Sequence, residues 1–506
     1  MKYRGYILVS ILLMLGCLVT ALYAPQIRQY LAATVATATP PLLTATESWT
    51  YALQSATGNK DEIDGVSADS AGNIFIGGGF LNKVNFNGAY HLATTGSDIF
   101  VSKLYPDGTE NWFISIDSGG EDFMWDLVAD KNGDVVISGG YGGTLKLGSA
   151  TYQAYKDGSA FWAKLSGKDG KILWIQTAGV PFTSAQKIDP LATAGGNEIS
   201  VDSKGNIVAQ LTASGATYKI GTSTYLNQGP KDSFIVKLSP LNGKFLWSYQ
   251  FLGSGAKQLR ALGITSTDEI IFGHEYIGDI VDTTTRTTYS SKLGLGTPQG
   301  TIGILTTAGK LKWMKPVIST GFANVRGAGG DQEGNAYYTG VLTGASSIGT
   351  TSITGYKNGS TFLAKYSSAG VHQWTRVMGN TETDTAGELI PYGKTGVAIT
   401  SSNQGPNYNL YDRVGNVVRK NVHTVDSVET RATLTIFNGS GDIVARHSPV
   451  YTDASSAGVL TYAGGTCFVY QHSFYGTIKY ANGTTYKTTG PNVKIDKDMA
   501  LVKVCY

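Results

Sequence analysis

The chain has 506 residues, of which only 15% are charged, with a net charge of +3 at pH 7 and with 65 glycines and 29 tyrosines. No basic run exceeds two residues, so the clustered Lys and Arg that nucleic-acid binding needs are missing. The length is large for one conventional core and ordinary for a fold that grows by adding repeats.

Residues 1–5 are short and basic, and residues 6–24 are predominantly apolar. A helix of that length spans about 28 Å, close to a hydrocarbon core. Positive charge before it predicts a cytoplasmic N-terminus and a membrane protein, single-pass, with everything beyond Ala24 outside the cytoplasm, in the periplasm or at the cell surface. Three fates fit the segment. An uncleaved signal anchor suits its length and Pro25 directly after it. A lipoprotein signal suits Met14-Leu15-Gly16-Cys17, with Cys17 as the lipidated residue, although Leu15 is bulky for that role. The third is a leader resembling that of type IV pilins, cleaved after Gly5, with Ser10 where such pilins usually carry Glu. Residues 25–48 read as an Ala/Thr/Pro linker.

From Trp49 onward one pattern repeats with a period of about sixty residues, and each unit ends its second hairpin in a Gly turn followed four residues later by Trp. The pairs are Gly108/Trp112, Gly170/Trp174, Gly243/Trp247, Gly309/Trp313 and Gly370/Trp374, with Gly441/Ala445 the one departure. The units are 49–111, 112–173, 174–246, 247–312, 313–373, 374–444 and 445–506. Each carries a short strand rich in β-branched and aromatic residues, as in residues 74–80, 135–141 and 207–213. Asp-x-x-Gly precedes four of these strands, at Asp69, Asp130, Asp202 and Asp331, and suits a tight hairpin because Asp bonds its own turn backbone. The run Asp130 to Asp134 also looks a little like a calcium loop, but it is too short and lacks the closing Glu, so a hairpin turn is expected.

Four strand-length segments per repeat predict an all-β fold, a seven-bladed β-propeller of four-stranded blades preceded by one N-terminal hydrophobic helix. The last unit lacks an outer strand, so the Trp49 strand is expected to supply it and close the ring. The third strands read SDIFVSKL (97–104), SAFWAKL (159–165), DSFIVKL (232–238) and TFLAKY (361–366), each leading to the Gly/Trp pair. In these phrases the chain resembles the seven-bladed β-propeller repeat (SBBP) family over residues 49–506. That resemblance implies a fold and a surface or secreted setting, and no reaction. Lys103, Lys164, Lys237, Lys365 and Lys503 recur on the third strands and read as stems reaching solvent, or as a cationic ring for an anionic partner. Cys467 opens the second strand of the last unit and Cys505 closes its third, which places them side by side for a disulfide; the alternative is two buried thiols.

The local motifs of common enzymes are missing, and the six histidines have no metal-ligand spacing, so no cofactor, no metal and no catalytic residue is assigned. Recognition is expected on the face of the second-to-third connections, such as residues 80–97 and 276–299, which are long and differ between units. One column of the innermost strands breaks the apolar pattern: Asp64, Trp125, Asn197, Arg260 and Arg326, followed by Gly387 and Ala457. It is the first candidate site for a glycan or acidic group, and the alternative is that Asp64 and the two Arg satisfy each other or water. His274, Glu275 and Tyr276, at the start of the most irregular connection, are the second. Together these features predict a membrane-tethered binding, adhesion or scaffold module for a cell-surface protein or polysaccharide. The alternatives are an extracellular glycan-acting enzyme using Glu198 or Glu388 as acid, and a type IV pilin-like tip protein.

Overall fold

The computed structural model describes residues 42–55, 61–86, 89–147, 149–154, 159–178, 198–213, 217–291, 297–379, 384–404, 409–411, 417–419, 430–451, 455–488 and 498–506. The expected N-terminal helix, Cys17 and Asn197 lie outside them. The described residues form strands and turns, and no helix among them is long and apolar enough to cross a membrane.

The fold is all-β and propeller-like. Its unit is an antiparallel ladder of four successive strands, as in Glu62–Ala68, Ile74–Phe86, Ala89–Leu104 and Glu110–Ile116. The ladders that follow begin with the strands Phe123–Ala129, Ile199–Val201, Ala256–Ile264, Ala323–Gly330, Asp384–Tyr392 and Ser455–Tyr462. These innermost strands touch in cyclic order, each packing on the next and Ser455–Tyr462 on Glu62–Ala68. The final ladder takes its outer strand from the other end of the chain. Trp49 stands opposite Lys503 and Thr50 opposite Val502, as the sequence predicts. That strand begins at Thr46, so the last residues read as linker belong to it, and Leu43 already bridges to Ala445.

The second and third strands of a ladder are buried on both faces, which is why they read as continuous apolar runs. Every residue of Val135–Tyr141 and of Ser159–Leu165 is buried. The core lies between neighbouring ladders: Phe75 and Val101 of one pack with Met124, Leu127, Ile137 and Ala163 of the next.

The Gly/Trp pairs prove to be joints between neighbours. Trp247, on the outer strand of the third ladder, lies on the Gly turn of the following ladder, where a Cβ on Gly309 would stand 2.6 Å from the ring, and the φ of +73° there also favours glycine. Trp49, Trp112, Trp174, Trp313 and Trp374 meet Gly108, Gly170, Gly243, Gly370 and Gly441 in the same way. Their indole N–H groups donate to carbonyls of those turns, at 3.0 Å from Trp49 to Pro106 and 3.0 Å from Trp374 to Gly439.

The third-strand lysines do not reach solvent as expected. Lys164, Lys237 and Lys365 are buried, and each pairs with the Asp-x-x-Gly aspartate of its own ladder: Lys164 with Asp130 at 2.7 Å, Lys237 with Asp202 at 2.7 Å and Lys365 with Asp331 at 3.4 Å. Lys103 and Lys503 donate to turn carbonyls of the next unit, Gly167 and Pro106. Each lysine stem therefore crosses a ladder end toward an acceptor that an aligned sequence hides, and no free cationic ring remains. Asp130 behaves as a hairpin residue, its Oδ1 accepting from the N–H of Asn132 at 2.8 Å and of Asp134 at 3.1 Å.

Cys467 and Cys505 form a disulfide between directly opposed strand positions. Several long second-to-third connections are accessory hairpins rather than irregular loops, their strands pairing around short turns. Examples are Asp279–Asp282 with Thr287–Ser290, and the outward extensions of Ala336–Ile348 and Thr351–Tyr366.

Candidate functional site

The polar column of the innermost strands is a column of β-bulges. The ladder register skips Asp64, Trp125, Arg260 and Arg326, each between two paired neighbours. A bulge re-aims its side chain, which explains why these positions escape the apolar alternation. In the sixth ladder the skip covers Gly387 and Glu388, and in the seventh Gly458 and Val459, while Ala457 stays paired with His472. Arg260 is held by Glu275, Nε to Oε2 at 3.3 Å, and Trp125 packs tilted against Phe123, ring centroids 5.4 Å apart. Arg326 is exposed and feels repulsion from Arg260 and attraction from Glu275 and Glu198.

The residue after each of those positions matters more than the column itself. These residues are Gly65, Asp126, Glu198, Ala261, Gly327, Glu388 and Gly458. The acids reach across to the next innermost strand and accept a backbone N–H there. Asp126 takes that of Ile199 at 2.8 Å, Glu198 that of Leu262, and Glu388 that of Leu460 at 2.6 Å. Where glycine stands instead, the backbones themselves close up: a Cβ on Gly65 would lie 2.7 Å from the Leu127 nitrogen, and one on Gly327 2.8 Å from that of Leu389. The three carboxyls therefore act first as staples between neighbours.

All three line one axial cavity of about 190 Å³, together with Ser67, Ser200 and Thr461. Burial raises the pKa of each. Asp126 is pushed well up by burial and then by the charge of Glu388, and Glu198 by burial and then by Glu388 and Asp126. Glu388 is pushed up by burial to about 7, against the pull of the Leu460 N–H. A carboxyl that holds its proton to neutral pH can donate it, and this is the chemistry the cavity offers. Among the described residues no group of three His, Cys, Asp or Glu is placed to hold a metal ion.

The structure does not bring His274, Glu275 and Tyr276 together. His274 is fully buried and stacks on Phe251 at 4.6 Å, and burial lowers its pKa to about 3, so it is a neutral core residue. Glu275 serves Arg260. Tyr276 borders a second, larger cavity.

That cavity is an open groove of about 730 Å³ among the second-to-third connections of the fourth and fifth units. The outer strand of the fourth ladder, Leu311–Ser319, runs past that ladder and pairs with the next one, Ile318 opposite Ser347 and Ser319 opposite Ser346. Ser347 in turn stands opposite Ser352, and Ala345 opposite Thr354. A small three-stranded sheet results. Its outward face carries Pro316, Ile318, Thr320, Ser347, Ser352 and Thr354 and floors the groove, while Val317, Ser319, Ser346 and Ile348 point into the core. Tyr289, on the hairpin Asp279–Asp282 with Thr287–Ser290, forms the wall, its hydroxyl donating to the Met314 carbonyl at 3.3 Å. Sequence reasoning missed this sheet because its pairing crosses from one ladder to the next inside a single repeat, 313–373.

No protein-family profile matches the chain, and no curated protein matches it. Among solved structures it is similar to the quinohemoprotein alcohol dehydrogenase of Comamonas testosteroni, at 10% identity over 91% of this chain and 76% of that one, with a TM-score of 0.41. A polysaccharide lyase, a PL25 ulvan lyase, is 10% identical over 86% of this chain and 96% of its own, with a TM-score of 0.43. A puromycin hydrolase is 11% identical over 86% of this chain and 55% of its own, with a TM-score of 0.44. The fold rests on the strand pairing, and these likenesses carry no chemistry to this chain.

Proposed function

We propose that this chain is a closed seven-bladed β-propeller of the SBBP kind, tethered to a cell membrane by its N-terminal apolar segment, with the propeller outside the cytoplasm. In this reading each four-stranded ladder is a blade, the pairing of Trp49 with Lys503 is the closure, and the role is to bind a surface polymer, protein or polysaccharide, without chemistry. The disulfide supports the address, because cystines persist in oxidising compartments. One observation carries the role: among the described residues the open groove of about 730 Å³ is lined by no Asp, Glu, His, Lys or Arg, so it offers shape and hydroxyls rather than a carboxyl, imidazole or amine for acid–base work. Immobilised full-length protein is expected to retain a defined component from a mixture of the host's surface proteins and polysaccharides. Retention of nothing, or breakdown of what is retained, overturns the proposal.

A second reading, a glycan-acting enzyme, is favoured by the meeting of Asp126, Glu198 and Glu388 in one cavity, where Glu388 would donate the proton. The narrow cavity and the N–H bond on each carboxyl weigh against it. Release of reducing ends from a surface polysaccharide, abolished by Glu388→Gln, would put this reading first.

A further inference from the structure

We propose that the groove between the fourth and fifth units takes an uncharged polysaccharide chain lying flat on its three-stranded floor; this rests on the binding role above. The floor's chemistry selects the class of ligand. The middle of the floor is paired on both sides, Val317 with Gly300 and Ile348, and Ser347 with Ile318 and Ser352, while the rim strand through Ser352 and Thr354 is paired on one side. A peptide laid over the middle of the floor meets no open sheet edge there, and pairing along such an edge is how an extended polypeptide gains most of its affinity. Recognition must therefore come from side chains, and these are short hydroxyls around one apolar centre. The hydroxyls of Thr288, Ser347, Ser352 and Thr354 make no hydrogen bond among the described residues, so they are available as donors and acceptors. Ile318 stands 55% exposed in their midst, a large apolar side chain that water solvates poorly. A pyranose ring presents this same mixture, hydroxyls at its rim and C–H bonds on its faces. The ring of Tyr289, fixed by its bond to the Met314 carbonyl, supplies an ordered aromatic wall, so little entropy is lost on binding.

Charge narrows the class further. No cationic side chain lines the groove to neutralise an acidic sugar, and Asp279, behind the wall, is taken up by Ser290 at 2.6 Å and Ser254 at 3.3 Å. A carboxylated or sulfated polymer would lose hydration there without a partner. The open shape admits the middle of a chain rather than an end.

The test uses the full-length protein and four probes: a neutral glucan, a neutral mannan, polygalacturonate, and a Ser/Thr-rich peptide. The expected result is binding of at least one neutral polymer, changing less than about twofold between roughly 50 and 500 mM salt because no charge pairing is involved. Ile318→Asp and Ser352→Asp, both on the exposed floor, should each weaken that binding about tenfold or more by placing an unpaired carboxylate under the ligand. Thermal melting checks that both variants fold. Binding of polygalacturonate alone, of the peptide alone, or of none of the four overturns the inference. So does neutral binding that both variants leave unchanged. Capture of a host surface component by the wild type that survives in Ile318→Asp removes this groove while leaving the binding role standing; failure of all capture removes both.

Discussion

Glu388→Gln should make the protein more stable at pH 8, although it deletes a charged hydrogen bond. Glu388 has an ordinary pKa of 4.5, which burial in the folded protein pushes up to about 7. Between those two values the folded chain holds a proton that the unfolded chain has released, so stability falls as pH rises through the window and levels off above it. At 1.36 kcal/mol per unit the interval amounts to at most about 3 kcal/mol, lost between pH 4.5 and 8. Glutamine keeps a carbonyl oxygen for the Leu460 N–H and never ionises. The variant should therefore match the wild type near pH 4.5 and exceed it by about 1–3 kcal/mol at pH 8. Removing Glu388 also relieves Asp126 and Glu198, on both of which its charge acts to raise the pKa, so the pH dependence should flatten beyond the loss of one titration. Urea unfolding at pH 5, 6, 7 and 8 with a constant m-value reads this directly. A variant less stable than the wild type at pH 8, with the same slope against pH, would show that the carboxylate is a net stabilising ion and that the account of the axial cavity is wrong.

Lys237→Met should cost about 3–5 kcal/mol by stranding Asp202, and adding Asp202→Asn should recover part of it, as measured by denaturant midpoints. Asp202 also sets an acid limb. Burial would raise its pKa, but Lys237 and Asn206 bring it below the ordinary value, so its contribution is present above that value and lost as pH falls through the lowered one. A melting temperature of Lys237→Met that no longer drops more steeply in acid than at neutrality checks this. Gly309→Ala should lower stability by at least about 1–2 kcal/mol for the left-handed backbone alone, with more from displacing Trp247; an unchanged melting temperature would refute the joint. Cys467→Ser should cost up to about 4 kcal/mol for a 38-residue loop in the chain-entropy picture, read as the shift in denaturant midpoint against the oxidised wild type.

The repeat was legible because its most visible letters are obligatory contacts. Gly309 and Trp247 recur in step since one must lack a Cβ for the other to dock, and Asp202 with Lys237 since each neutralises the other out of water. The pairing of the Trp49 strand with Asp498–Cys505 was legible because the third strand of the last unit presents an edge that a further strand can cover. The lysines were misjudged because a side chain six residues into a strand says nothing about which turn it meets. Glu198 and Glu388 were legible as candidate acids, but Asp126 and the column all three share were not, because they align with Gly65, Ala261, Gly327 and Gly458, a column that looks merely small. The signal was there. An acid sharing a buried column with glycines marks a place where a backbone N–H of the neighbouring unit needs an acceptor or very close approach.

The two cavities differ in what their residues owe to the fold. Each axial carboxyl closes a seam between neighbouring units, so replacing one by a small apolar residue would leave an N–H such as that of Ile199 or Leu460 without its acceptor. That obligation ties their chemistry to stability and limits how freely the axis can specialise. Ser352, Thr354 and Ile318 carry no such duty, since their strands are held by the ladder and by the buried row beneath them. A face whose backbone is fixed while its side chains are free can vary without disturbing the ladders beneath it. On the binding role proposed above, changes of ligand are expected to be read in the floor of the groove, and constraints of folding along the axis.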